Sequence, residues 1–127
     1  MIANIIFVGI GGCIGAVLRY LCSVGLARVP TEFPLATMAV NLLGAFLIGF
    51  LSQLFSDLWP EKAGLKLFLT TGILGGFTTF STFSLETVSL FQNGRPILAS
   101  CSVLLTVAGG IVGALLGKIV AHRLCVR

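Results

Sequence analysis

Four apolar stretches, each near the length of a membrane-spanning helix and separated by short polar breaks, occupy almost all of the 127-residue chain. A helix needs roughly 20 mainly apolar residues to cross the hydrocarbon core of a bilayer. The stretches fall at about residues 2–26, 35–55, 67–91 and 97–121, so the sequence predicts one four-span, all-α membrane domain covering residues 1–127 and no soluble domain. Charged residues make up only 9% of the chain and the mean hydropathy is +1.10, which places it outside the soluble class. The first stretch begins within two residues of the start without a basic leading segment, so it reads as a retained span rather than a cleaved signal peptide.

The net charge of +4 does not point to nucleic acid, because Arg19, Arg28, Lys62, Lys66, Arg95, Lys118, Arg123 and Arg127 form no stripe or cluster. Cys13, Cys22, Cys101 and Cys125 lack metal-ligand spacing and read as small buried thiols. No His, Cys or acid cluster offers a nucleophile with its base, and His122, beside Arg123 at the end of the fourth span, has no partner in sequence for catalysis or metal binding; the chain is not expected to be an enzyme.

Lys and Arg near span ends also bear on orientation. With the N-terminus, middle loop and C-terminus on one side, that side carries Lys62, Lys66, Lys118, Arg123 and Arg127, against Arg19, Arg28 and Arg95. So small a bias leaves insertion free to occur both ways, and the expectation is a pair of oppositely oriented copies, an antiparallel dual-topology homodimer.

Polar residues inside the spans mark candidate sites, since each is expensive in lipid unless paired or wetted. Arg19 either snorkels to an interface or makes a vestibule attractive to anions. Asn41, four residues after Thr37 and on the same helical face, either joins helices by hydrogen bonding or presents its amide N–H to a permeating anion. Trp59 suits an interfacial anchor, and Gln92 to Pro96 suit a tight turn. Gly11 and Gly15 in the first span, and Gly109, Gly113 and Gly117 in the fourth, form small-residue rows that admit close helix approach.

The third span is the anomalous one. Between Thr70 and Glu86 it combines Gly75 and Gly76 with Thr78, Thr79, Ser81, Thr82 and Ser84, interleaved with Phe77, Phe80 and Phe83. Glycine and threonine are poor helix formers, so a break is predicted near Gly75–Thr78. Freed carbonyls at such a break can coordinate a cation such as Na⁺, and two copies meeting on a two-fold axis can complete the cage. Phe80 and Phe83 share a face; they either face lipid and packed helices or turn their positive ring edges to an anion. Glu86 either borders a polar vestibule or pairs with a base such as Arg19.

The early glycines followed by Arg19, the Asn-Leu-Leu-Gly from Asn41 and the Gly-Gly-Phe-Thr-Thr-Phe-Ser-Thr-Phe from Gly75 to Phe83 resemble the Fluc (CrcB) fluoride channels of bacteria, over the whole chain. The resemblance implies a multi-pass protein of the bacterial inner (plasma) membrane that exports cytoplasmic fluoride passively and confers fluoride resistance. It also implies two pores per antiparallel dimer and a structural Na⁺ at the dimer centre. Carried over by motif, the Gly75 and Thr78 carbonyls would hold Na⁺, and Phe80, Phe83 and Asn41 would contact fluoride. Ser81 and Thr82 would continue a polar track, and Arg19 would draw anions into the vestibule. The fourth span departs from the family pattern, because Ser102 and Thr106 are followed on their face by Gly109, Gly110 and Gly113. The competing class is a small multidrug-type proton-coupled antiporter, which needs a titratable carboxylate at membrane depth; here only Glu86 is placed for that, and the first span has none.

Overall fold

The computed structural model describes residues 1–126; Arg127, counted above in the orientation tally, lies outside them. The described residues are helical and contain no strand: α1 (Ile2–Leu26), α2 (Leu35–Leu58), α3 (Ala63–Leu67), a π-helical segment (Phe68–Leu74), α4 (Gly75–Phe77), α5 (Phe80–Gln92) and α6 (Pro96–Cys125). Four helical units are long and apolar enough to cross a membrane: α1, α2, the composite run Ala63–Gln92, and α6. The first coincides with its apolar stretch, and the other three start or end up to a few residues beyond theirs, because a helix continues through polar residues such as Ser56 and Asp57 until a cap or proline stops it.

The connections follow from local chemistry. Pro30 and Pro34 interrupt the chain between α1 and α2, and the Thr31 hydroxyl accepts a hydrogen bond from the Phe33 N–H at 3.0 Å. Between α5 and α6, Gly94 takes a positive φ of 71°, a conformation glycine adopts without penalty, and Pro96 opens α6 at its first turn. Trp59 caps α2, with its ring edge-on to Phe55 at 5.9 Å and the Lys62 ammonium 5.0 Å from its centroid.

Two close helix pairs make the bundle, α1 against the third span and α2 against α6. Both are built on glycine, because in lipid helices associate by backbone-close packing rather than by expulsion of water. A Cβ on Gly15 would lie 2.8 Å from the Phe77 nitrogen and in hard contact with the Ile73 carbonyl oxygen; one on Gly11 would lie 2.9 Å from the Gly72 Cα. Across the other seam, Gly117 faces the backbone of Phe46 and Phe50, and Gly49 faces that of Ala114. Both glycine rows read from the sequence are therefore seams. Gly49→Ala places its methyl 2.8 Å from the Ala114 carbonyl carbon, whereas at Gly25 nothing lies within 4 Å. Overpacking of this kind costs about 1–3 kcal/mol. Gly49→Ala is therefore expected to lower the thermal midpoint in detergent by several degrees, and Gly25→Ala to leave it near wild type, measured by intrinsic fluorescence.

Few large side chains are buried: Val40, Phe55, Leu74, Phe77, Phe83 and Leu90 lie inside, while most isoleucines, valines and leucines of α1 and α6 face outward, as a lipid-facing surface requires. This corrects the reading of the cysteines. Cys13 and Cys101 are exposed, Cys22 and Cys125 partly so, and all four are free thiols. In a span, an apolar thiol is as well accommodated facing outward as inward.

Candidate functional site

The predicted break is present, at Thr78 and Thr79, and the threonines rather than the glycines make it. Gly75 keeps helical angles (φ −62°, ψ −37°), whereas Thr78 (φ −81°, ψ 158°) and Thr79 (φ −151°, ψ 115°) are extended. Gly76 is small for another reason: a Cβ there would meet the backbone of Gly12 and, at 3.1 Å, the nitrogen of Ala16 on α1.

Substitute hydrogen bonds hold the break open. The Thr78 N–H still makes its helical bond to the Leu74 carbonyl, four residues back, at 3.0 Å, and the Thr78 hydroxyl adds a second donor to the same oxygen at 3.0 Å. Asn41 on α2 clamps Thr79 at two points: its Nδ2 donates to the Thr79 carbonyl at 3.0 Å, and the Thr79 N–H donates to its Oδ1 at 2.8 Å. The Thr79 hydroxyl then caps α5 by accepting from the Thr82 N–H at 3.2 Å. In an unbroken α-helix the Thr79 N–H would close on the Gly75 carbonyl and the Thr82 N–H on the Thr78 carbonyl. With both donors diverted, those two carbonyls lose their helical partners. The Gly76 carbonyl accepts from Arg19 Nε at 3.1 Å.

Two clefts of about 250 Å³ each adjoin the break. One is lined by Asn41, Gly44, Leu74, Gly75 and Thr78 among others, the other by Asn41, Thr78, Thr79, Phe80, Phe83 and Thr106, with Asn41 and Thr78 common to both. In the second, the rings of Phe80 and Phe83 lie 5.8 Å apart at 50°. Phe83 is buried at 7% exposure while Phe80 projects from the protomer at 79%. Thr106 and Ser102, one turn apart on α6, are buried with hydroxyls that no group among the described residues satisfies.

Further along α5 the polar face continues. The Thr79 hydroxyl donates to that of Thr82 at 3.0 Å and lies 3.3 Å from that of Ser81, which is exposed. Thr82 and Glu86 join Thr37 and Ser23 in lining a cleft of about 400 Å³ under the α1–α2 connection, and Glu86 also borders a larger one of about 660 Å³. One Glu86 carboxylate oxygen, Oε2, is buried without a hydrogen-bond partner among the described residues. Of the two settings open to Glu86 in sequence, the structure has the polar vestibule.

The model of the family described as "CrcB-like protein, Camphor Resistance (CrcB)" matches residues 6–118. The chain belongs to the CrcB family. It is 51% identical over 122 residues to a protein of Ruminiclostridium cellulolyticum named fluoride-specific ion channel FluC, covering 95% of this chain and 94% of that one. Proteins of the same name from Elusimicrobium minutum (50% identity over 119 residues, 92% of each chain) and Serratia proteamaculans (47% over 116 residues, 91% of each) are similar over almost the same extent.

For this CrcB chain, the residues singled out in the sequence fall into three groups in space. Asn41, Phe80, Phe83 and Thr78 meet at the break, with Gly75 in the adjoining cleft. Thr82 lies on the vestibule side, with Ser81 on the exposed side of the same helical turn. Arg19 stands apart from both clefts at the break and is tethered to it through the Gly76 carbonyl. The sequence reading passed over two contributors. Thr79 is the residue Asn41 grips, which no spacing along one chain segment reveals. Gly44 leaves room for the Thr78 methyl, and its position three after Asn41, on the same face, was the available signal.

Proposed function

We propose that this CrcB protein is a fluoride channel, exporting cytoplasmic fluoride passively across a bacterial inner membrane and so conferring fluoride resistance. The observation that carries the reading is the convergence of uncharged donors and phenyl rings on one cleft at membrane depth: the Asn41 amide, the Thr106 hydroxyl, Phe80 and Phe83. A small, strongly hydrated anion needs replacement for its water shell; hydroxyl and amide donors supply it directly, and the positive edges of phenyl rings add to it. Asn41 spends one N–H on the Thr79 carbonyl and keeps the other, so it serves both as the glue between helices and as a donor. Ser81 and Thr82 extend the track along α5, and Arg19, held on the Gly76 carbonyl outside the lined clefts, adds positive potential from α1.

The same reading includes a homodimer of antiparallel copies in the lipid bilayer, with two pores and a structural Na⁺ at its centre. The chemistry of the donor set fits: Gly75 and Thr78 offer uncharged, hard carbonyl oxygens released from helical bonding, and a second copy is needed to complete the shell. Na⁺ would there neutralise carbonyl dipoles that lipid cannot. Phe80, exposed on the protomer, is a surface that a second copy would cover.

Export needs no pump. A negative-inside potential of ~100 mV favours anion exit by ~2.3 kcal/mol per charge. The test is ion release from liposomes holding the purified protein. Fluoride release without chloride release, insensitive to a pH gradient, is the expected result; movement of organic cations coupled to protons would instead establish the antiporter.

A further inference from the structure

The cleft of about 660 Å³ at the mouth is bordered by Arg95, an arginine with no part in the proposed conduction path. It is lined by Thr31 and Glu32 from the α1–α2 connection, Glu86 and Ser89 from α5, and Asn93 and Arg95 from the α5–α6 turn. It shares Thr31, Phe33, Pro34 and Glu86 with the cleft that reaches Thr82, so the two adjoin as a trench with Glu86 on both sides of the junction. An anion following this trench meets two carboxylates and one guanidinium. Arg95 Nη2 lies 2.9 Å from Glu32 Oε1, and both side chains are more than half exposed. The Arg95 backbone is fixed by its N–H, which donates to the Leu90 carbonyl at 2.8 Å, and by the Gly94 turn before it. An exposed pair of this kind adds little to stability, but a fixed charge at the rim of a low-dielectric cleft strongly changes the local concentration of a permeating ion.

We propose that Arg95 sets the rate of anion entry by neutralising Glu32 at the mouth of the Glu86 trench, acting as a positioning residue for the ion rather than as a mechanical strap between the two connections. The inference rests on the reading that the chain conducts fluoride. Removing Arg95 makes the trench one unit more negative, removing Glu32 makes it one unit more positive, and removing both restores the wild-type charge. All three changes break the same contact. A mechanical role therefore lowers flux in all of them, whereas a charge role moves the two single variants in opposite directions.

The experiment measures fluoride release from liposomes for wild type, Arg95→Gln, Glu32→Gln and the double variant. It is run at about 10 mM and about 1 M ionic strength, where the screening lengths are ~30 Å and ~3 Å. At low salt, Arg95→Gln should be at least about three-fold slower than wild type, Glu32→Gln equal or faster, and the double variant close to wild type, with the differences lost at high salt. Wild-type release with both single variants slowed together, or with Arg95→Gln unchanged at low salt, overturns the proposal alone. A wild type that releases no fluoride overturns the conduction reading and this proposal with it. Monodisperse elution of each variant is required before flux is read, and exposed side chains of this kind are expected to meet it.

Discussion

Asn41→Asp is expected to reduce fluoride flux by one to two orders of magnitude while the helices still form. The change is almost isosteric, yet it inverts one of the two bonds that define the break. The Thr79 N–H can still donate to a carboxylate, as it does to Asn41 Oδ1 at 2.8 Å. The Thr79 carbonyl, which accepts from Nδ2 at 3.0 Å, would face a second acceptor bearing negative charge. An unsatisfied buried group costs about 1–3 kcal/mol, and the break has to rearrange to escape it. On the rate scale that cost corresponds to roughly 5- to 150-fold, and a fixed negative charge beside an anion path adds to it. Flux from liposomes checks the prediction, with far-UV circular dichroism to verify helix content. Wild-type flux would remove Asn41 from the pathway and leave the clamp as packing alone.

Phe80→Ile is expected to be just as damaging to flux, for the opposite structural reason. Phe80 is 79% exposed on the protomer, so its removal should barely alter the stability of the single chain. What it removes is one of two rings that flank the cleft beside Asn41 and Thr106. An aliphatic side chain has no positive edge to offer an anion. Flux should fall at least about ten-fold, the equivalent of some 1.4 kcal/mol in the barrier, with the thermal midpoint within a few degrees of wild type. Phe83→Ile would confound the two effects, because Phe83 is buried and its loss also opens a cavity.

The four spans were legible because lipid imposes a length and a polarity that local sequence displays directly, and the glycine rows were legible because their four-residue spacing implies a face. The chemistry of the break was only half legible. Gly75 and Gly76 drew attention as weak helix formers, yet both lie on the helical side, and the extended residues are Thr78 and Thr79. Whether a threonine ends a helix depends on a partner for its backbone, and that partner, Asn41, is 38 residues away. The π-helical winding of Phe68–Leu74 has no composition that announces it; it fits this run against Gly11 and Gly15 of α1. The cysteines were misread because the rule that apolar groups go inside belongs to water and loses its force where lipid is the solvent.

The interruption between Phe77 and Phe80 also divides the electrostatics of the span. Each helical run carries a macrodipole equivalent to roughly half a charge at either end, positive at its N-terminus and negative at its C-terminus. An unbroken Ala63–Gln92 helix would place both ends at the membrane surfaces, where water screens them. The break brings a negative C-terminal end, with the Gly75 carbonyl, and a positive N-terminal end, at Phe80, to within a few residues of each other at membrane depth. The first borders the cleft beside Leu74 and Thr78, and the second borders the cleft holding both phenylalanines. One kinked backbone thus offers opposite fields to two neighbouring cavities without placing an ionised side chain among the residues that line either of them.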